Sequence, residues 1–138
     1  MDTQGMLEYA LDVERLDEHG SMARAAKGAE VVLDTDMAGR DDALSPPELL
    51  LAALAACMIR AIQRAQPLLR MEIGVLSIRL RGWRQDSPPA IARIEYEIRI
   101  RTEADEEMLD LLHRNVQKGT IYHTLSRGTE LKGRIRAV

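Results

Sequence analysis

The chain is poor in cysteine, in aromatic residues and in basic excess. One cysteine, Cys57, stands among 138 residues. That excludes an intrachain disulfide and any zinc site built from several cysteines. Phenylalanine is absent, and Trp83, Tyr9, Tyr96 and Tyr122 are the whole aromatic complement. So few rings make no platform for stacking nucleic-acid bases. Lys and Arg number 19 against 22 Asp and Glu, giving a formal net charge of −3 and a pI near 5.6. Nucleic-acid modules carry a basic excess, so no nucleic-acid partner is expected. The longest uncharged apolar run, residues 49–59, is eleven residues long. A membrane helix needs about 20, so no membrane partner is expected. Residues 1–20 carry Asp2, Glu8, Asp12 and Glu14 and lack the apolar core of a signal peptide. A cytoplasmic location, where a lone thiol stays reduced, is the expectation. His19, His113 and His123 share no metal-ligand spacing, so neither metal nor cofactor is expected.

What is present is globular: 46% hydrophobic and 30% charged residues, on a length that fits one domain, residues 1–138. Leu7, Tyr9, Leu11 and Val13 alternate with more polar neighbours, the period of a strand with one wet face. With a turn at His19-Gly20 and another at Lys27-Gly28, the N-terminal strands should fill about 6–34. Ser45-Pro46-Pro47-Glu48 then opens a helix. Ser45 can cap it, Pro46 suits its first position, and Glu48 completes a capping box. The helix should run over about 46–66 and stop before Pro67. Residues 49–59 are apolar on every side, and a helix of that kind is buried all round. One small domain cannot wrap it completely, so a second subunit is expected to help cover it.

Strands over about 71–102 follow, split by Ser87-Pro88-Pro89. In the second of them Ile94, Tyr96, Ile98 and Ile100 face one way. Arg93, Glu95, Glu97, Arg99 and Arg101 face the other, an alternation expected to pair across strands. A helix over about 104–118, with Gly119 as its C-terminal cap, a short helical piece over 120–126 and a last strand over about 129–137 complete the order. The fold class is α+β with mainly antiparallel sheets. The expected core comprises Leu49, Leu50, Leu54, Cys57, Met58, Ile62, Ile78, Ile94, Ile98, Leu109, Leu112 and Val116.

Cys57 is the first candidate for chemistry. A mid-helix cysteine is commonly a small buried hydrophobe. A redox nucleophile needs thiolate character, hence a nearby cation and some access. Arg60 is the only cation close in sequence, so a distant arginine would have to be recruited. His113 is placed on the polar side of its helix. His123 follows Gly119 closely and is a candidate base or hydrogen-bond partner.

The segment Ser45-Pro-Pro-Glu-Leu-Leu-Leu-Ala-Ala-Leu-Ala-Ala-Cys57-Met resembles the central helix of the OsmC/Ohr family of thiol-dependent hydroperoxide reductases. The segment Gly119-Thr-Ile-Tyr-His-Thr-Leu-Ser-Arg-Gly128 resembles the family's second cysteine region, and the order of elements agrees from end to end. The resemblance implies an OsmC-like intertwined homodimer with buried central helices and active sites at the subunit interface. It also implies a peroxidatic cysteine, matched by Cys57, which an organic hydroperoxide oxidises to a sulfenic acid. An arginine from the N-terminal strands would hold the thiolate. Arg24 is the nearest match, with Lys27 and Arg15 as weaker substitutes.

Two departures stand against the match. The family's resolving cysteine falls at Gly119, which cannot form a disulfide, so turnover would need an external thiol reductant. The family's glutamate lies ten residues before the cysteine, where this chain has Pro47. Glu48 is nine before, which at about 100° per residue sets it about 180° around the helix from Cys57. Glu48 therefore stands as a capping residue first and a catalytic candidate second. Three readings follow: a single-cysteine reductase of organic hydroperoxides, a non-peroxidase protein binding a small hydrophobic ligand at the dimer interface, and a dimeric scaffold.

Overall fold

A computed structural model describes residue 2, residues 4–128 and residues 130–138, the last stretch without the Glu130 side chain. The chain divides into two compact units, residues 1–49 and residues 50–138.

In the first unit β1 (Leu11–Arg15), β2 (Gly20–Ala25) and β3 (Glu30–Asp34) form an antiparallel meander. The Asp17 carboxylate makes the first turn by accepting from the N–H groups of His19 (2.7 Å) and Gly20 (3.1 Å). Gly28, at φ 97°, makes the second in a region that favours glycine. The strand expected from about residue 6 begins only at Leu11. Its pairing with β2 ends at Leu11↔Ala25, where β2 itself ends. Leu7 and Tyr9 keep the alternation but have no ladder to join, and lie 84% and 82% exposed. Among the described residues of this unit only Gly20, Ser21, Ala23 and Asp34 are buried. Buried Asp34 organises the loop that follows. Its carboxylate accepts from the N–H groups of Asp36 (3.0 Å) and Arg40 (3.1 Å). Its own N–H donates to the Leu44 carbonyl (2.9 Å).

Helix α1 (Pro46–Leu69) carries the chain into the second unit. It runs past the expected stop, with Pro67 in its last turn. Proline there removes only the bond to the Gln63 carbonyl. The end is closed instead by Arg70 N–H to Pro67 O (3.3 Å) and Met71 N–H to Gln66 O (3.2 Å), with Arg70 at φ 53°. This is the Schellman ending, in an arginine rather than a glycine. Leu54, Met58, Ala61, Ile62 and Ala65 form the buried stripe. Leu49, Leu50 and Cys57, expected in the core, are half-buried, and Ala52, Ala53 and Ala56 are exposed. The single chain therefore covers one side of the helix, not all of it.

Strands β4 (Leu76–Asp86) and β5 (Pro89–Ile100) pair antiparallel, and β6 (Glu130–Ala137) joins β5 in parallel. Thr129, the expected first residue of the last strand, lies outside the described residues. Residues 71–75 lie outside β4, although Gly74 N–H and Val75 O still bond to Arg101 (2.9 Å each). The β5–β6 connection contains α2 (Glu106–Val116) and α3 (Thr120–Ser126). Asp105 caps α2 by accepting from Met108 N–H (2.9 Å).

Ile94, Ile98 and Ile100 of β5 are fully buried against Leu54, Met58, Ile62, Leu112 and Val116. Full burial of each such side chain stabilises by about 1.5–3 kcal/mol. Ile78 packs against this core half-buried. The expected cross-strand pairing is made on the outer face of the sheet by Glu97 of β5, which meets Arg134 and Arg136 (3.4 Å) of β6; Glu95 instead meets Arg93 of its own strand (2.6 Å).

Candidate functional site

Cys57 sits on α1 beside the buried stripe, half-buried, one residue before Met58 and three after Leu54. The corner between α2 and α3 lies over it. The residues there are Gln117, Lys118 and Gly119, and the corner is held by backbone bonds. Gln117 N–H donates to His113 O (3.1 Å), Gly119 N–H to Val116 O (3.3 Å) and His123 N–H to Gly119 O (3.0 Å).

Gly119 is not the C-terminal cap of α2, as its place in the sequence predicts. Gln117 takes that position, and Gly119 is the N-cap of α3 at φ −69° and ψ 153°. Any residue adopts that backbone. What limits position 119 is proximity, because a Cβ there would stand 3.0 Å from the Cys57 Sγ. With an S–S bond of about 2.04 Å, a sulfur and the Cβ of its disulfide partner are separated by about 3 Å. Position 119 thus has the spacing at which a cysteine side chain would reach the Cys57 sulfur.

Buried Tyr96 of β5 anchors the same corner. Its hydroxyl lies 2.7 Å from His113 Nε2, and its ring meets those of His113 and Tyr122 edge-on at 5.7 and 6.4 Å. The Gln117 side-chain amide donates to the Tyr122 hydroxyl (3.4 Å). Burial pushes the Tyr96 phenol well up, and the Tyr122 hydroxyl adds to it, so Tyr96 keeps its proton. Burial also lowers His113, partly opposed by Asp110, which favours the neutral ring beside the phenol. His113 is therefore not on the wet side of its helix. The 3.6-residue pattern placed its backbone, but its partner is a buried hydroxyl on β5 that no local pattern announces.

The other candidate residues are engaged as follows. Arg24 of β2, in the first unit, pairs with Glu30 (3.2 Å), and that carboxylate raises its guanidinium. The Arg15 side chain donates to the Asp17 carbonyl (3.2 Å), and Lys27 lies in the β2–β3 turn. Glu48 closes the expected capping box. Its carboxylate accepts from Ser45 N–H (2.9 Å), and its own N–H donates to Ser45 Oγ (3.4 Å). Those bonds hold the Glu48 carboxyl below its usual range. α1 is helical from Pro46, so Glu48 keeps the place on the helix that its spacing from Cys57 gives it. His123 is exposed on α3. Among the described residues no helix is long and apolar enough to cross a membrane, and no three His, Cys, Asp or Glu side chains gather as metal ligands.

Solved structures share this architecture. An OsmC-like protein from Mycoplasma pneumoniae superposes with a TM-score of 0.84 at 17% identity, covering 96% of this chain and 98% of that one. An organic hydroperoxide resistance protein OsmC from Legionella pneumophila gives 0.71 at 13% identity, over 97% and 100%. The organic hydroperoxide resistance protein OhrB of Bacillus subtilis gives 0.65 at 14% identity, over 94% and 98%. No curated protein matches the chain. Residues 39–133 match the family described as OsmC-like protein, and with more than half of its length so matched the chain belongs to that family.

Proposed function

We propose that the protein is a cytoplasmic thiol-dependent reductase of organic hydroperoxides that works with a single cysteine. The observation that carries this reading is the Gly119 contact. The thiol stands where a partner cysteine would close on it, at 3.0 Å from the missing Cβ, and no second thiol exists in the chain. The Cys57 thiolate attacks the terminal oxygen of ROOH. The O–O bond breaks, an S–O bond forms, and the alkoxide leaves as ROH after taking up a proton. An external thiol then displaces water from the sulfenic acid to give a mixed disulfide, and a second external thiol releases Cys57. The balance is ROOH plus two thiols giving ROH, water and one disulfide.

The working unit in this reading is a homodimer. Ala52, Ala53 and Ala56 on α1 are exposed in the single chain, as are Leu11 (61%), Val13 (56%) and Val31 (45%) of the N-terminal sheet. Exposed apolar side chains grouped in this way favour burial against a partner. Arg24, supplied at the completed site, is the proposed activating cation, and its ion pair with Glu30 would have to open for that role. The small exposed side chains beside Cys57 also favour a second reading, in which they line a site for a small hydrophobic ligand.

The deciding experiment follows loss of the Cys57 thiol to cumene hydroperoxide and to hydrogen peroxide at neutral pH, with Cys57→Ser as control. Loss far faster than for a free thiol, with preference for the organic peroxide, is the expected result. A rate no faster than a free thiol's would remove the reductase reading and leave the ligand site.

A further inference from the structure

Beyond its reacting group, this site has a supporting side chain on β5. The buried face of β5 is made of Ile94, Ile98 and Ile100, with Tyr96 among them. A phenylalanine would fill the same ring volume. A buried hydroxyl instead carries a desolvation cost unless it is bonded. The ring also constrains the neighbouring strand: a Cβ on Gly133, its partner on β6, would fall inside the Tyr96 ring. The contacts of this side chain on the helical connection all go to one place. Its hydroxyl reaches His113 on α2, its ring meets that of Tyr122 on α3 edge-on, and the Tyr122 hydroxyl accepts from Gln117 at the end of α2. Two residues beyond Gln117 is Gly119, whose backbone covers the Cys57 sulfur.

We propose that Tyr96 is a positioning residue for Cys57: through His113 and Tyr122 it pins the α2–α3 corner and so fixes how closely Gly119 covers the thiol. The proposal rests on the reading above only in taking Cys57 as the reacting group. A fixed corner keeps the sulfur under a backbone wall on one side and leaves its approach to the other. A loosened corner exposes the sulfur from both sides.

The test is the rate at which iodoacetamide alkylates Cys57 in the folded protein at neutral pH. Tyr96→Phe keeps the ring and removes the hydroxyl, and the rate should rise about three- to tenfold, the factor one hydrogen bond supplies. Ile98→Val, a core change on the same strand, should leave the rate unchanged, although it also lowers stability. His113→Ala removes the phenol's hydrogen-bond partner and should raise the rate similarly. In the double variant the two effects should not multiply, because both act through one bond. Unchanged rates in Tyr96→Phe and His113→Ala, equal acceleration by Ile98→Val, or multiplying effects would each overturn the proposal. Should Tyr96→Phe fail to fold, His113→Ala against Ile98→Val decides alone. Alkylation needs no peroxide, so a Cys57 inert to cumene hydroperoxide would end the reductase reading without touching this result.

Discussion

The sulfur of Cys57 and the backbone of Gly119 are separated by the space of one absent cysteine side chain, with 3.0 Å between the Sγ and a Cβ built on the glycine. Cysteine at 119 should therefore close a bridge without moving the backbone, whose φ of −69° suits any residue. In Gly119→Cys, mild oxidation should consume both thiols within one chain, counted with a thiol reagent and checked on a non-reducing gel. By the loop-entropy argument the bridge should stabilise by up to about 4 kcal/mol. Retention of two free thiols under oxidant would show that the corner is not held over Cys57.

Gly133 should tolerate no side chain. Gly133→Ala drives a methyl into the Tyr96 ring and should cost about 1–3 kcal/mol in chemical denaturation. Gly128→Ala meets nothing within 4 Å and should fall within about 0.5 kcal/mol of the parent.

Stability should fall with acid before the carboxylates titrate. His113 is lowered in the folded protein by burial, so the unfolded chain binds its proton first. Folding is then penalised as pH drops below the ordinary value of 6.5, and the loss is complete below the lowered folded value. Melting temperatures at a series of pH values from about 7.5 to about 5 should decline in the parent and flatten in that window in His113→Gln. Equal slopes would place the buried ring's titration elsewhere.

The helix start separates capping from catalysis at Glu48. Ser45→Ala should cost about 1 kcal/mol, because Glu48 N–H loses its acceptor. Glu48→Gln keeps a side-chain acceptor for Ser45 N–H and should leave stability nearly unchanged. If Glu48 only caps, Cys57 reacts with cumene hydroperoxide at the parent rate in Glu48→Gln. A large loss there would assign Glu48 to the chemistry.

The parts of the fold that local chemistry decides were legible in the chain. Ser45-Pro46-Pro47-Glu48 announces α1 because capping needs only neighbours in sequence, and the capping box is there. The alternation through Ile94, Tyr96, Ile98 and Ile100 announces β5 because one face must be dry. Features that depend on distant partners were not legible. Leu7 and Tyr9 alternate like a strand, but β2 is too short to pair with them. Pro67 reads as a stop, yet the helix end draws on carbonyls that proline still offers. The candidate site divides in the same way. Cys57 was visible from its segment, and Gly119 was visible as a departure. What constrains Gly119 is a contact 62 positions away in sequence, not a cap at the end of α2. His113 and Tyr96 were each placed, but their bond joins two elements and leaves no local trace.

The parallel pairing of β5 with β6 sets the order in which this architecture can assemble. The β4–β5 hairpin closes across Ser87 and Pro88 alone, a local event. β6 reaches β5 only after residues 101–129 have folded back, and such non-local closure is slow. Until then one long edge of β5 lies open and the ring of Tyr96 has no strand behind it. Refolding followed through Tyr96 should therefore lag behind hairpin formation, and the cover over Cys57 should be among the last features to mature.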